Sequence, residues 1–488
     1  MTHFIDNLWI NSTTENTLFS INPATGKSLF KGSNAGKKEV DLAVNGATDA
    51  FAKWTLSSID TRISYLKAFQ QELKENQVHI ATTISKETGK PLWDSLTEVS
   101  SMISKIDISV LAYYERTSEK KDASHTMPLV VKHRPHGLVA VFGPFNFPGH
   151  IPLGHIIPAL LAGNCVIFKP SEKTPLTSIE IIKLWQKINP PKGVLNLVQG
   201  DAITGKLIAS HPALNGLFFT GSLKTGLALN QLFASTPEKI LALEMGGNNP
   251  LIVWEASNLS STIYQILLSA FITTGQRCTC ARRLIVPEGN NGHAILNHLE
   301  KAIQNIVIGS YDDTIEPFMG PLISNEALNN LLHAERTLLS LGATSLIPLK
   351  RLDPKLPFLS PGLIDVTSIK DLPDEEYFGP LLQVIRANSF EEAISLSANT
   401  KYGLVTSLLS DNKLLYEQFY IHSKAGLIHW NAPTTGASSK APFGGIGRSG
   451  NFRPGAYYAT DFCSYPVASF EVEVINPPST LLPGIKYV

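Results

Sequence analysis

Short apolar segments that alternate with helical patterns constrain the fold of this chain more than any other feature. Between residues 137 and 222, the segments are four to six residues long, and each ends at a turn that contains glycine or proline. The predicted strands are 137–142, 165–168, 194–198 and 216–219. Such strands, each followed by a helical stretch, are typical of a parallel sheet. The sequence therefore predicts an α/β fold for this region.

A second region with the same alternation extends from about residue 250 to residue 410. Its strand candidates are 284–286, 381–385 and 403–405. The whole chain has 488 residues, and this length suggests two or three domains of roughly 100–200 residues each. We therefore expect two α/β domains, one from each alternating region.

The segments that flank these regions are expected to have other structures. Apolar residues between Val40 and Phe51 recur at helical spacing, which predicts a helix there. In chain order, we expect small strands and turns over 1–35, helices over 37–119 with a break at Gly89-Lys90-Pro91, extended segments over 127–135 and 463–470, and a surface tail over 471–488.

The composition argues against several classes of protein. Lys+Arg and Asp+Glu number 41 each, so no overall charge attracts nucleic acid or a membrane surface. Cys165, Cys278, Cys280 and Cys463 are too few for a disulfide framework and are interpreted as reduced thiols. The first residues lack the pattern of a signal peptide, and the apolar segment 156–168 is too short and interrupted to span a bilayer. We expect a cytoplasmic protein without a nucleic-acid or membrane partner.

Two segments could together supply covalent catalysis. Residues 274–280, Thr-Gly-Gln-Arg-Cys-Thr-Cys, place Cys278 on a turn that contains glycine. Residues 243–250, Leu-Glu-Met-Gly-Gly-Asn-Asn-Pro, place Glu244 beside two glycines, where the backbone can approach another group closely. A nucleophile and a candidate base are the minimum for covalent catalysis. Cys280 could be a resolving thiol, a metal ligand or a small apolar neighbour, and we favour the last because buried cysteine behaves as a small hydrophobe.

The histidines do not predict a metal site. None of the 13 histidines shows the spacing of metal ligands. His150 and His155 are five residues apart and lack the glutamate of a zinc-binding helix. We therefore predict that no catalytic metal is bound.

Residues after two of the predicted strands could bind a dinucleotide. Gly221, Ser222 and Gly226 form a Gly-Ser-x-x-x-Gly segment, in which helix N–H groups and a hydroxyl can bind a phosphate. A simple strand-to-helix turn would explain the same residues. Lys169 and Glu172 follow the strand 165–168, and a carboxylate there can accept the hydroxyls of an adenosine ribose and repel a 2′-phosphate. That arrangement favours NAD over NADP, although a solvated charge pair is the alternative interpretation.

Seven short segments resemble the aldehyde dehydrogenase superfamily. They are 143–148 (Gly-Pro-Phe-Asn-Phe-Pro), 168–172 (Phe-Lys-Pro-Ser-Glu), 219–222 (Phe-Thr-Gly-Ser), 243–247 (Leu-Glu-Met-Gly-Gly), 275–278 (Gly-Gln-Arg-Cys), 375–380 (Glu-Glu-Tyr-Phe-Gly-Pro) and 442–445 (Pro-Phe-Gly-Gly). They occur in the order of the family and cover the chain from about residue 20 to residue 470.

The resemblance implies a subunit of three parts. These are a Rossmann-type NAD-binding domain over 1–118 and 136–245, an α/β catalytic domain over 246–454, and a small β oligomerisation arm with a tail over 119–135 and 455–488. The arm of one subunit would extend the sheet of another, which implies a symmetric homodimer or homotetramer.

The resemblance also implies a role for each site residue. Cys278 would attack the aldehyde carbon, and the Asn146 amide and the Cys278 backbone N–H would stabilise the oxyanion. Glu244 would be the base for hydrolysis of the thioester, which favours a free acid product over transfer to coenzyme A. Glu376 would bind the nicotinamide ribose, and Phe378 would pack near the nicotinamide ring.

Features of a subgroup imply a semialdehyde substrate that carries several carboxylates. One such feature is the Asn-Asn pair after Gly247, where most relatives have lysine. Arginine pairs with carboxylates bidentately, so Arg277, Arg448 and Arg453 are candidate substrate ligands, with structural ion pairing as their alternative role. Oxidation of another semialdehyde, a non-catalytic scaffold, and a thiol redox or metal module are the competing functions.

Overall fold

The computed structural model describes residues 1–12, 14, 17–124, 127–475 and 480–486. Within these ranges the strands are β1 (His3–Ile5), β2 (Leu8–Ile10), β3 (Thr17–Ile21), β4 (Ser28–Ser33), β5 (Lys120–Asp122), β6 (Leu129–Pro135), β7 (Leu138–Phe142), β8 (Cys165–Lys169), β9 (Leu195–Leu197), β10 (Gly216–Gly221), β11 (Ile240–Met245), β12 (Asn249–Val253), β13 (Ala281–Pro287), β14 (Thr344–Ile347), β15 (Gly362–Asp365), β16 (Leu381–Ala387), β17 (Val405–Leu409), β18 (Leu427–Trp430), β19 (Pro442–Phe443), β20 (Gly455–Ala456) and β21 (Ser464–Phe470).

The α-helices lie mostly between the strands, as the alternating pattern predicts. They are α1 (Lys37–Leu56), α2 (Ile59–Glu75), α3 (Gln77–Thr88), α4 (Leu92–Arg116), α5 (His150–Ala162), α6 (Pro175–Lys187), α7 (Ala202–Ala209), α8 (Leu223–Phe233), α9 (Leu259–Phe271), α10 (Asn290–Gln304), α11 (Asn325–Ser340), α12 (Phe390–Ala398), α13 (Lys413–His422) and α14 (Ala459–Phe462). None of the helices in the described ranges has both the length and the apolar character that a membrane-spanning segment requires.

The first sheet contains the strands predicted between residues 137 and 222. Its order is β11-β10-β7-β8-β9-β1-β2, and β7 to β11 are parallel. The N-terminal strands β1 and β2 are antiparallel additions at one edge. Because β8 and β9 lie on one side of β7, and β10 and β11 lie on the other, the strand order reverses at β7. Ligands bind in α/β sheets at the carboxyl ends of strands beside such a reversal.

The second sheet contains the strands predicted between residues 250 and 410. Its order is β14-β15-β16-β13-β12-β17-β18, and only β14 is antiparallel to its neighbour. The strand predicted at 403–405 was placed too early, because it begins at Val405 and continues to Leu409. The sequence pattern also missed β12, β14, β15 and β18. These are short strands of four or five residues, which hydrophobic periodicity resolves poorly.

A small third sheet joins the two predicted extended segments. Strand β21 is antiparallel to β6 over seven residues, and β5 lies on the other side of β6. The helical prediction for 37–119 is also confirmed, since α3 ends at Thr88 and α4 begins at Leu92. Parts of the predicted arm and tail (125–126, 476–479 and 487–488) lie outside the described residues. The three domain boundaries stay a prediction.

Candidate active site

A tight left-handed turn presents Cys278. Thr273, Thr274 and Gly275 have φ values of 54°, 56° and 68°. Such values are unfavourable for a β-branched residue, and a Cβ at Gly275 would overlap the carbonyl of Gly379. Strained backbone of this kind persists only where surrounding contacts determine it. The turn is therefore held in place by the rest of the fold.

Side chains from distant segments stabilise this turn and the loop after it. The Thr273 hydroxyl donates to Asp94 Oδ2 at 2.5 Å, and the Thr274 hydroxyl donates to the Gly320 carbonyl at 2.8 Å. The Asn249 amide donates to the carbonyl of Cys278 at 2.6 Å and to that of Cys280 at 2.9 Å. These contacts hold the peptide on both sides of the thiol.

Cys278 and Glu244 line the same cavity. Glu244 lies at the carboxyl end of β11, and the cavity has a volume of about 320 Å³. Glu244 is only 8% exposed, and its Oε1 has no hydrogen-bond partner among the described residues. Because burial penalises the charged form, the pKa of the Glu244 carboxyl rises to about 8. A carboxyl in this state can exchange a proton near neutral pH, as a general base requires.

The electrostatic surroundings keep Cys278 protonated in this state. Burial, with the nearby carboxyls of Glu244 and Glu376, raises the pKa of the Cys278 thiol well above its ordinary value, and Arg282 opposes this rise. The thiolate is the nucleophilic form of cysteine. The thiol must therefore release its proton when it reacts, rather than being held as a resting thiolate.

Asn146 lies against the nucleophile loop. It is buried, and its Nδ2 donates to the carbonyl of Gln276 at 2.8 Å. A carboxamide nitrogen carries two hydrogens, so this bond uses one of them and orients the other. The bond links the loop after β7 to the segment that carries Cys278.

Glu376 and Phe378 lie beside the segments that carry Glu244 and Cys278, and neither of them lines the cavity. Glu376 Oε1 accepts the backbone N–H of Gly247 at 3.1 Å and lies 3.9 Å from Arg282 Nη2. Burial raises the pKa of Glu376 to about 7, against the opposing effect of Arg282. A Cβ at Gly246 would overlap Glu376 Oε2, so glycine here leaves room for the Glu376 carboxyl beside the backbone. The rings of Phe378 and Phe145 meet edge to face, with their centroids 5.9 Å apart, and the Arg282 guanidinium lies over the Phe378 ring.

The residues predicted to bind the adenosine ribose and the phosphates lie at the carboxyl ends of the strands of the first sheet. Lys169 ends β8, Gly221 ends β10, and both strands are parallel to β7 between them. Lys169 is buried, burial lowers its pKa, and its Nζ donates to the Pro170 carbonyl at 3.1 Å. Glu172 is exposed just beyond it. This end of the sheet therefore presents an ammonium, a carboxylate and a helix terminus together.

The segment after β10 has a structural explanation as well as a possible ligand. Ser222 caps α8, since its hydroxyl accepts the backbone N–H of Thr225. A Cβ at Gly226 would overlap the Met245 side chain. Gly226 thus leaves room for the Met245 side chain between α8 and β11, while Gly221 and Ser222 lie at the end of the sheet where a phosphate could bind.

The structure separates the three candidate arginines. Arg277 lines the cavity, but its Nη2 pairs with Asp94 Oδ1 at 2.8 Å and its Nε donates to Thr273 at 2.7 Å. Arg448 and Arg453 are exposed and do not line the cavity. The loop after Gly445 therefore does not bring either of them beside Cys278.

Sequence reasoning missed one wall of the cavity, which α4 and α5 form. Glu98, Ser101 and Lys105 of α4 line it, as do His150 and His155 of α5. The spacing of Glu98, Ser101 and Lys105 places them on one face of a helix. A polar face on a helix that runs through the core was the signal that could have identified this wall.

Cys280 does not face the cavity. It is fully buried, and burial raises the pKa of its thiol. Across the ranges that the structure describes, no three His, Cys, Asp or Glu side chains are grouped as a metal site would need. Cys280 therefore has the surroundings of a small core residue.

Comparisons with known proteins give one consistent result. Residues 9–467 match the model of the aldehyde dehydrogenase family. The chain is 50% identical over 484 residues to the N-succinylglutamate 5-semialdehyde dehydrogenase of Ectopseudomonas mendocina (strain ymp), and 99% of each chain is covered.

Solved structures with the same fold include two at 26% identity. One is the betaine aldehyde dehydrogenase of Staphylococcus aureus in complex with NAD⁺, with a TM-score of 0.90 over 98% of this chain and 96% of that chain. The other is an aldehyde dehydrogenase from Brucella melitensis biovar abortus 2308, with a TM-score of 0.90 over 96% of both chains.

Proposed function

Because the chain belongs to the aldehyde dehydrogenase family, we propose that it oxidises N-succinyl-L-glutamate 5-semialdehyde to N-succinyl-L-glutamate with NAD. The observation that carries this proposal is the cavity that Cys278 and Glu244 share. The 50% identical relative bears the name of this activity, in agreement with the subgroup resemblance of the sequence. The reaction would serve arginine catabolism through succinylated intermediates.

The chemistry starts at the Cys278 sulfur. The thiol attacks the aldehyde carbon and releases its proton to solvent, and a thiohemiacetal forms. The Asn146 amide and the backbone N–H of Cys278 stabilise the oxyanion, as preorganised donors do in acyl-transfer sites. The chemistry that bound NAD supplies is acceptance of the aldehyde hydrogen as a hydride. Cys278 is then left as a thioester.

Glu244 completes the cycle. Its carboxylate takes a proton from a water molecule, which attacks the thioester carbon. The carbon–sulfur bond breaks, the acid is released and the Cys278 thiol is restored. Since Oε1 of Glu244 has no partner among the described residues, it is free to accept this proton. A glutamate in this position favours a free acid as the product.

The residues at the carboxyl ends of the strands of the first sheet fit a dinucleotide. Lys169 has an ammonium with a single backbone acceptor, and Glu172 is accessible to the hydroxyls of a ribose. Gly221 and Ser222 lie where α8 begins, which suits a phosphate. Glu376 and Phe378 would hold the nicotinamide end. These assignments are part of the proposal.

Assembly and location follow from the same proposal. We infer that strands β6 and β21 form an arm through which two subunits associate, giving a homodimer or homotetramer. Exposed apolar residues on β21, Tyr465 and Phe470, support this role. The enzyme would act in the cytoplasm on a small aldehyde, without a nucleic-acid or membrane partner.

The direct test is a panel of aldehydes followed by NADH absorbance. We expect the highest kcat/KM with N-succinylglutamate semialdehyde, by about tenfold or more, which corresponds to about 1.4 kcal/mol in transition-state binding. Succinate semialdehyde, glutamate semialdehyde and a neutral aldehyde serve as comparisons. A clear preference for one of these comparison substrates would contradict the proposed substrate.

The choice of cofactor has a separate test at Glu172. Substitution Glu172→Gln is expected to raise kcat/KM for NADP relative to NAD by about tenfold, or about 1.4 kcal/mol, because a neutral amide no longer repels a 2′-phosphate. Initial rates with each cofactor measure the ratio. Glu238→Gln is the control, since Glu238 is exposed and lies before the amino end of β11, at the end of the sheet opposite to Glu172. An unchanged ratio in Glu172→Gln would count against this role.

A further inference from the structure

Lys105 is a buried cation in the wall of the reactive cavity, and no carboxylate of the described residues pairs with it. Its side chain is 1% exposed, and its Nζ donates to the carbonyl of Ala456 at 2.8 Å. None of the ion pairs among the described residues includes it. An ammonium carries three donors, and a buried charge is usually paired. Lys105 therefore has the capacity to bind an anion.

The other charges of this wall are already balanced. Arg277 pairs with Asp94 at 2.8 Å. Glu98 pairs with Lys90, and its Oε1 also accepts the backbone N–H of Gly149 at 2.9 Å. Because these two ion pairs are balanced, Lys105 is left as a cavity-lining charge that no described carboxylate balances.

The remaining titratable groups of the cavity are neutral at pH 7. Burial raises the pKa of Glu244 to about 8. Burial, aided by the positive charges of Lys105 and Lys90, lowers the pKa of His150 to about 3, and burial with Lys105 does the same for His155. Burial lowers the pKa of Lys105 to about 8, so its ammonium is still charged at pH 7 and the cavity then presents a net positive charge to whatever enters it.

Polar groups around Lys105 suit a carboxylate. The Nδ1 atoms of His150 and His155 are buried and have no hydrogen-bond partner among the described residues. Ser101 lies one helical turn before Lys105 and also lines the cavity. Ala456, whose carbonyl binds Lys105, has a left-handed φ of 57°. A bound carboxylate would give the buried Lys105 ammonium a second acceptor beside the Ala456 carbonyl.

We propose that Lys105 binds a carboxylate of the substrate and thereby selects acid-bearing semialdehydes over neutral aldehydes. This inference rests on the proposed function, because it concerns the same cavity. A charge-assisted hydrogen bond from Lys105 would stabilise the acid substrate. A neutral aldehyde would leave the ammonium buried and unpaired. Arg277 is the weaker candidate for this contact, since Asp94 already balances its charge.

The test compares Lys105→Met with the parent enzyme on two substrates. With N-succinylglutamate semialdehyde, KM should rise by about 10- to 100-fold with kcat within about threefold, the size expected when one buried charge contact is lost. With hexanal, KM should not rise. Lys105→Arg should restore much of the affinity for the acid. Lys440→Met is the matched control, because Lys440 is an exposed lysine near the cavity that does not line it.

Other outcomes would overturn the inference. An equal rise of KM for both substrates, or a loss confined to kcat, would mean that Lys105 only supports the structure. If Lys105→Met does not fold, Ser101→Asp places a carboxylate one turn from Lys105, and an unchanged KM for the acid would then reject the proposal. If the parent enzyme does not oxidise the succinylated substrate, that result contradicts the proposed function but not the role of Lys105. The acid semialdehyde that the enzyme does oxidise would then be used in the same comparison.

Discussion

Replacing Cys278 with alanine is expected to lower the rate of NADH formation by about 10⁴-fold or more, as removal of a catalytic nucleophile does in other enzymes. The alanine side chain cannot form the thiohemiacetal, so the aldehyde hydrogen is not released as hydride. The residues proposed to bind the adenosine and phosphate groups lie at the carboxyl ends of the strands of the first sheet and do not depend on the thiol. NAD affinity, measured by fluorescence titration, should therefore remain close to that of the parent.

Cys280→Ala provides the matched control for this result. Cys280 is two residues away and fully buried, and it does not line the cavity. We expect this variant to keep most of the activity at a small cost in stability. Substantial activity in Cys278→Ala, or an equal loss in both variants, would show that Cys278 is not the nucleophile.

Replacing Glu244 with glutamine is expected to separate the two halves of the reaction. A burst of about one NADH per active site should persist, because hydride release needs only the thiol and the oxyanion donors. Steady-state turnover should fall by about 10²- to 10⁴-fold, the usual contribution of a general base. Stopped-flow absorbance at the NADH band, followed by steady-state rates, measures both quantities.

The pH dependence of turnover gives a second measure of Glu244. Burial raises the pKa of its carboxyl to about 8, so the carboxyl is protonated below this pH and cannot accept a proton from water. The rate after the burst should therefore rise as pH increases through about 8 in the parent enzyme. Glu244→Gln should lack this rise. Full turnover in the variant, or an identical pH profile, would contradict the assignment of Glu244 as the base.

Local sequence patterns were sufficient to predict the framework of the fold. The apolar segments of the first sheet form strands because short, fully apolar runs between turns are stable only when both faces are covered. The break at Gly89-Lys90-Pro91 and the strands that became β6 and β21 were also predicted and are confirmed. The position of β17 was wrong by two residues at its start, since Gly403 and Leu404 precede the strand.

The candidate site was predictable to the extent that its chemistry depends on residue type. Cys278 and Glu244 were identified from their neighbouring glycines, and the structure places both in one cavity. Their roles, and that of Asn146, stay predictions. The roles of the arginines were harder to predict, because the sequence shows which cations lie near the thiol along the chain but not which groups they pair with in the fold.

The sequence by itself determined the α/β class and the family and supplied the candidate reactive groups, since these depend on hydrophobic periodicity and on side-chain chemistry within short segments. Only the tertiary structure decided that Arg277 is paired with Asp94, 183 residues away in the chain, and that Lys105 has no anionic partner in the described part of the chain. The physical reason is that the partner of a buried charge depends on which segments pack around it. That packing depends on contacts between segments far apart in sequence.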